Sequence, residues 1–163
     1  MGSLVLTSGP AGAQPNVPDD VWIQCTGFSG PNTSWPHFLT GCSSRSGTGQ
    51  GQTNRTAPGT ETITFAAPFE GGKSLQLNNI SSSYVAGPTR DNPTAPPSPN
   101  CPPDHPTEFD VSGTIGPRQP YAGSPVTATI CTNAEGFILA NDSLFVIHKV
   151  PGSPGEVNPP TAS

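Results

Sequence analysis

Glu108 and Asp110, two positions apart, are the side chains best spaced for chemistry. In a regular strand residues i and i+2 share a face. Two carboxyls on one face are what a glycosidase uses, one as acid and the other as base or nucleophile. Asp19 and Asp20 form a second acidic pair just ahead of an apolar run, a setting that suits Ca²⁺ with help from backbone oxygens. Glu61, Glu70 and Glu135 stand singly. The commoner role of all these groups is a solvated turn or strand face, and no EF-hand or nonapeptide pattern surrounds the aspartates. GxSxG elbows, HExxH, Walker loops and dinucleotide fingerprints are absent. The run Gly47–Thr53 is glycine-rich, but it lacks the Lys-Ser/Thr and the helix start that a phosphate cradle requires. His37, His105 and His148 stand alone and no CxxC occurs. Cys101 and His105 are four apart, yet Pro102, Pro103 and Pro106 preclude the helix that would bring them together. No metal, no cofactor and no enzymatic activity are therefore expected.

Aromatic side chains offer a different chemistry, since sugars stack on exposed rings. Trp22 sits among Val21 and Ile23 and reads as core. Trp35 lies in the turn Pro31–Pro36 and is the better ligand candidate, with Tyr84 or Tyr121 as further stacking faces. The competing role for Trp35 is a ring folded down over the end of the fold. Arg90, in Thr89-Arg90-Asp91-Asn92-Pro93, occupies a proline-stiffened loop of the kind a protease inhibitor presents, although a solvated arginine is the commoner case. Asn32, Asn54, Asn79 and Asn141 begin N-x-S/T sequons, acceptors for glycans if the host is eukaryotic.

The elements that must position these residues are strands. The 163 residues include 22 prolines and 19 glycines, which cost interior helix positions about 3 and 1 kcal/mol each. Apolar residues instead fall in short alternating runs: Val21–Thr26, Phe38–Cys42, Thr60–Phe65, Ser74–Ile80, Phe109–Ile115, Val126–Cys131, Gly136–Leu139 and Leu144–Ile147. Gly47–Thr53 reads equally as a strand with a glycine face against a close neighbour or as a loop. Residues 86–107 hold eight prolines and must be extended or polyproline-like. The expectation is all-β: one antiparallel sandwich or partly open barrel of about eight strands over 21–150, with tails at 1–20 and 151–163.

So thin a core calls for covalent support. Of the three pairings that four cysteines allow, Cys25–Cys42 joins sequential strands and Cys101–Cys131 ties down the proline-rich loop. Ala11-Gly12-Ala13 has the small-x-small form of a signal-peptidase site, which makes Gln14 the mature terminus and residues 1–13 the end of a signal peptide. Disulfides and a signal peptide place the protein outside the cell. The net charge of −5, with six Lys and Arg, leaves no basic patch for nucleic acid or an anionic membrane, and no apolar run is long enough to span a bilayer.

Cys25-Thr-Gly, Leu39-Thr-Gly-Cys42, Gly59–Phe65 and Pro68–Lys73, together with Phe109–Gly116 and Tyr121–Cys131, resemble the small secreted two-disulfide β-proteins of actinobacteria and similar bacteria. The resemblance covers residues 21–147, implies location and fold, and carries no functional residues. The expected function is a non-enzymatic extracellular surface, matrix or assembly protein, with itself or a cell-surface glycan as partner. Its proline-rich tails would cover a sheet edge. A carbohydrate-binding module is the alternative, ahead of an inhibitor or hydrolase.

Overall fold

The computed structural model describes residues 17–31, 34–134, 137–138 and 144–150. The expected signal peptide, most of the N-terminal tail, the C-terminal tail after Val150, and Asn32, Glu135 and Asn141 lie outside the described residues.

The chain runs as an antiparallel meander. Its strands are β1 (Val21–Pro31), β2 (His37–Ser44), β3 (Gly47–Ala57), β4 (Thr60–Phe65), β5 (Ser74–Ala86), β6 (Thr107–Ile115) and β7 (Pro125–Thr132). Two residues, β8 (Phe137–Ile138), bridge the ends of β1 and β7. The last strand, β9 (Leu144–His148), pairs with both β7 and β1, through Ile147↔Val126 and Phe145↔Cys25. That double pairing closes an eight-stranded barrel of β1–β7 and β9.

Alternation decides which side chains fill it. Ile23, Leu39, Ile63, Leu75 and Ile147 are fully buried inside. Thr62, Thr64, Gln76, Thr127 and Thr129 occupy the alternate positions and look outward. Gly47–Thr53 belongs to a strand, and its glycines have a use. A Cβ on Gly49 would stand 2.5 Å from Phe69 Cγ, and one on Gly51 would stand 2.8 Å from the Thr64 carbonyl and 3.1 Å from the Phe65 ring. The bare face of β3 thus leaves room for two phenylalanines packed edge to face, 5.4 Å apart.

Those rings plug one end of the barrel. The 3₁₀ turn Phe69–Gly72 crosses that end and drops Phe69 into the core. Glu70, at φ 52°, lies in the left-handed region that costs a non-glycine residue about 1–3 kcal/mol. Its carboxylate offsets that cost by accepting hydrogen bonds from Ser44 Oγ (2.6 Å), Ser46 Oγ (2.6 Å) and Tyr121 OH (2.6 Å), with Lys73 Nζ at 3.7 Å. Burial alone would raise its pKa. The three hydroxyls and Lys73 outweigh burial and hold Glu70 below the ordinary carboxylate value. The turn is thereby tied to the β2–β3 corner on one side and the β6–β7 connection on the other.

The cysteines pair Cys25–Cys42, directly opposite on β1 and β2, and Cys101–Cys131, which joins the proline-rich loop to β7. That loop is also held by Glu108, whose carboxylate accepts from Ser98 Oγ (2.7 Å) and Asn100 Nδ2 (3.0 Å). Trp22 is not core. The phase that sends Val21 and Ile23 inward turns Trp22 out, where it is half-buried with its ring 5.1 Å from Tyr121 and Lys149 Nζ 4.7 Å from its centroid.

Candidate functional site

Among the described residues nothing plugs the opposite end of the barrel. Above the phenylalanines the interior holds a cavity of about 300 Å³. Most of its wall is apolar, formed by Phe28, Leu77, Ile80, Val111, Ile130 and Phe145. Ser81, Ser82, Ser112 and Thr127 also border it, and one further sector is polar. It is built where β2 and β3 lie side by side and the turn before β2 brings Trp35 across them.

The inward face of β3 explains this sector. From the plugged end it reads Gly49, Gly51, Thr53, Arg55. The glycines admit the plug, and the first side chain beyond them is Thr53, 2 % exposed. His37 is the register partner of Thr53 and is 5 % exposed. The His37 ring lies 5.2 Å from Trp35 and 5.3 Å from Phe28. Arg55 is at the mouth, 5.2 Å over the Trp35 ring, and faces Glu61 across the β3–β4 ladder.

Three polar atoms of this sector are buried without a hydrogen-bond partner among the described residues: Trp35 Nε1, His37 Nδ1 and Thr53 Oγ1. Such a group costs about 1–3 kcal/mol when left unpaired. Gathering three on one wall of one cavity is unusual in a core and calls for a use. The other His37 nitrogen is committed: Nε2 lies 2.7 Å from the Pro31 carbonyl, which only accepts. Nε2 therefore carries a proton, and in the neutral form of the ring Nδ1 is a bare acceptor.

The other candidates from the sequence are dispersed. Trp35 lines the cavity. Tyr84 is at the rim of the open end, half exposed, with its OH donating to the Gly87 carbonyl (2.6 Å) and its ring edge-on to Phe109. Tyr121 is at the plugged end with its OH on Glu70, where burial and then that carboxylate push its pKa up. The three rings do not form one platform. Glu108 and Asp110 do meet, sharing a side-chain hydrogen bond on one face of β6, with Glu108 also engaged by Ser98 and Asn100. The bond from Ser98 leads in holding Glu108 below the ordinary value, against burial, while burial and Glu108 itself raise Asp110. Asp19 pairs with Arg45 at 3.2 Å in the open, and the Asp20 carbonyl accepts from Lys149 N. Asn54 and Asn79 are exposed. Arg90 is exposed beside a turn in which Thr89 and Asn92 bond each other. Among the described residues no three His, Cys, Asp or Glu side chains cluster as a metal site, and no helix is long and apolar enough to cross a membrane.

Sequence reasoning weighed Glu61 only as a single carboxylate and His37 only as a lone histidine, and it passed over Thr53 and Arg55. A signal existed for two of them: on the glycine face of β3, the phase that runs 49, 51 continues to 53 and 55. His37 carried none, because its neighbours belong to other strands. No protein-family model, curated protein or solved structure matches this chain.

Proposed function

We propose that this protein is a binding protein that holds a small amphipathic molecule in the open half of its barrel. The observation that carries the reading is the set of three unpartnered polar atoms, Trp35 Nε1, His37 Nδ1 and Thr53 Oγ1, on one wall of a mostly apolar cavity. An eight-stranded barrel encloses just enough space either to fill with side chains or to hold one small ligand. This one does both, the first at the plugged end and the second at the open end. Pockets that are mostly apolar, with a few convergent polar groups, are the usual form of a small-molecule site.

The surface or assembly role expected from the sequence rested on the lack of catalytic motifs, two proline-rich tails and a threonine-rich strand face, with the tails covering a sheet edge. Each of the eight barrel strands is paired on both sides, so ligand binding has the better support. An open glycan platform has less support, since Trp35 is separated from Tyr84 and Tyr121. The two disulfides favour an oxidising, extracellular setting. The outward Thr, Ser and Gln positions favour a barrel surrounded by water, the reverse of the lipid-facing apolar band of a transmembrane barrel.

Titration with the fluorescent probe 1-anilinonaphthalene-8-sulfonate tests the reading. Saturable one-to-one binding is expected, and Val111→Trp, which puts an indole in place of a small aliphatic group on the half-buried cavity wall, should abolish it while leaving the thermal midpoint within a few degrees. Binding unchanged in Val111→Trp would place the probe elsewhere and remove the proposal.

A further inference from the structure

We infer that the ligand of this cavity is an uncharged ring compound carrying a hydroxyl group, with the hydroxyl seated on the wall formed by Trp35, His37 and Thr53. The inference rests on the ligand-binding reading above and adds the chemistry of the ligand.

The donor and acceptor complement selects the group. Trp35 Nε1 can only donate, His37 Nδ1 in the neutral ring can only accept, and Thr53 Oγ1 can do either. A carboxylate would satisfy Trp35 but set its lone pairs against those of Nδ1. An ammonium group would satisfy Nδ1 and leave the indole N–H unpaired. A hydroxyl both donates and accepts from a single atom, so it can complete all three. Space favours the small group, because the Trp35 and His37 rings are only 5.2 Å apart and Thr53 stands opposite His37 in the ladder.

The mouth and the apolar wall select the rest. Arg55 and Glu61 face each other across β3 and β4, so the opening presents one charge of each sign and favours neither anion nor cation. Below it, Phe28 and Phe145, with centroids 6.2 Å apart, and Ile130 and Leu77 offer a dry surface that suits a ring body. The volume of about 300 Å³ suits a small ring system rather than a long lipid. The three polar atoms are covered in the free protein, so the hydroxyl must displace neighbouring side chains to reach them. That movement should be visible at the indole.

Calorimetric titration of the full chain with three matched probes tests this: 2-naphthol, naphthalene and 2-methoxynaphthalene. The last keeps an acceptor oxygen but cannot donate. We expect 2-naphthol to bind about tenfold or more tighter than either, the gain of roughly one recovered hydrogen bond to a buried group. Thr53→Val and Trp35→Phe should each cut that preference to about threefold or less while leaving naphthalene affinity in place. The Trp35 indole N–H resonance should move with 2-naphthol and stay put with naphthalene. That measurement decides the matter in the native chain if either variant folds poorly. Equal binding of all three probes, with an unmoved indole N–H, overturns the hydroxyl and leaves the cavity reading standing. No binding of any probe overturns both.

Discussion

Gly49→Ala adds one methyl group, yet it should be among the most damaging small changes in this barrel. The new Cβ would stand 2.5 Å from Phe69 Cγ and closer still to Phe69 Cβ. Contacts under 3.0 Å force a shift, and here the obstacle is the base of a side chain rather than a flexible tip. Phe69 cannot retreat easily. It is 4 % exposed, packed edge-on to Phe65, and carried on a turn whose next residue, Glu70, is held by Ser44, Ser46 and Tyr121. Gly49 cannot retreat either, because β3 is laced to β2 and β4 along its length. Overpacking usually costs 1–3 kcal/mol, and the rigid surroundings place this case near about 3 kcal/mol. For a chain of this size that corresponds to a fall in thermal midpoint of roughly 6–12 °C. Thermal unfolding followed by far-ultraviolet circular dichroism is the assay, with exposed Thr48→Ala as the neighbouring control. A midpoint within about 2 °C of the native protein would refute the idea that Phe69 is seated on the glycine face.

Three further outcomes follow from the same framework. Glu70→Gln should cost about 1–3 kcal/mol at neutral pH and flatten the acid limb of stability. Because the folded pKa of Glu70 lies below the ordinary 4.5, its contribution is present above that value and is lost as pH falls through the folded pKa, which urea titrations from pH 7 down to 3 would track. Reduction of the disulfides, which close spans of 17 and 30 residues, should cost about 3–4 kcal/mol each, and denaturant midpoints with and without reductant would measure it. Glu108→Ala should release Ser98 and Asn100 and loosen the proline-rich loop. Trypsin should then cut after exposed Arg90 faster, by about tenfold per 1.4 kcal/mol of local stability lost, and an unchanged rate would mean that Cys101–Cys131 holds the loop alone.

Much of this protein was legible in its residues, because strand periodicity is a local property. Ile63 and Phe65 alternate with threonines whatever the rest of the chain does, and β4 runs over Thr60–Phe65 as the alternation predicts. Proline and glycine punctuation marks the turns, and residues 87–106 of the proline-rich run lie between β5 and β6 with no strand of their own. Whether the sheets would face each other or join was not local. Closure depends on β9 reaching both β1 and β7, a pairing between the two ends of the fold that no window of sequence contains. The glycine face of β3 was ambiguous for the same reason, since its meaning depends on Phe69 arriving from the turn after β4. The site was the least legible part. Trp35 stood out as a loop aromatic, but His37 and Thr53 are unremarkable one at a time, and the three become one polar wall only when register sets His37 against Thr53 and the turn before β2 lays an indole beside them. Composition and periodicity determined that the chain makes strands and sends its apolar side chains to one face. Long-range pairing decided that the strands close, which end is plugged, and which polar atoms are left inside without a partner.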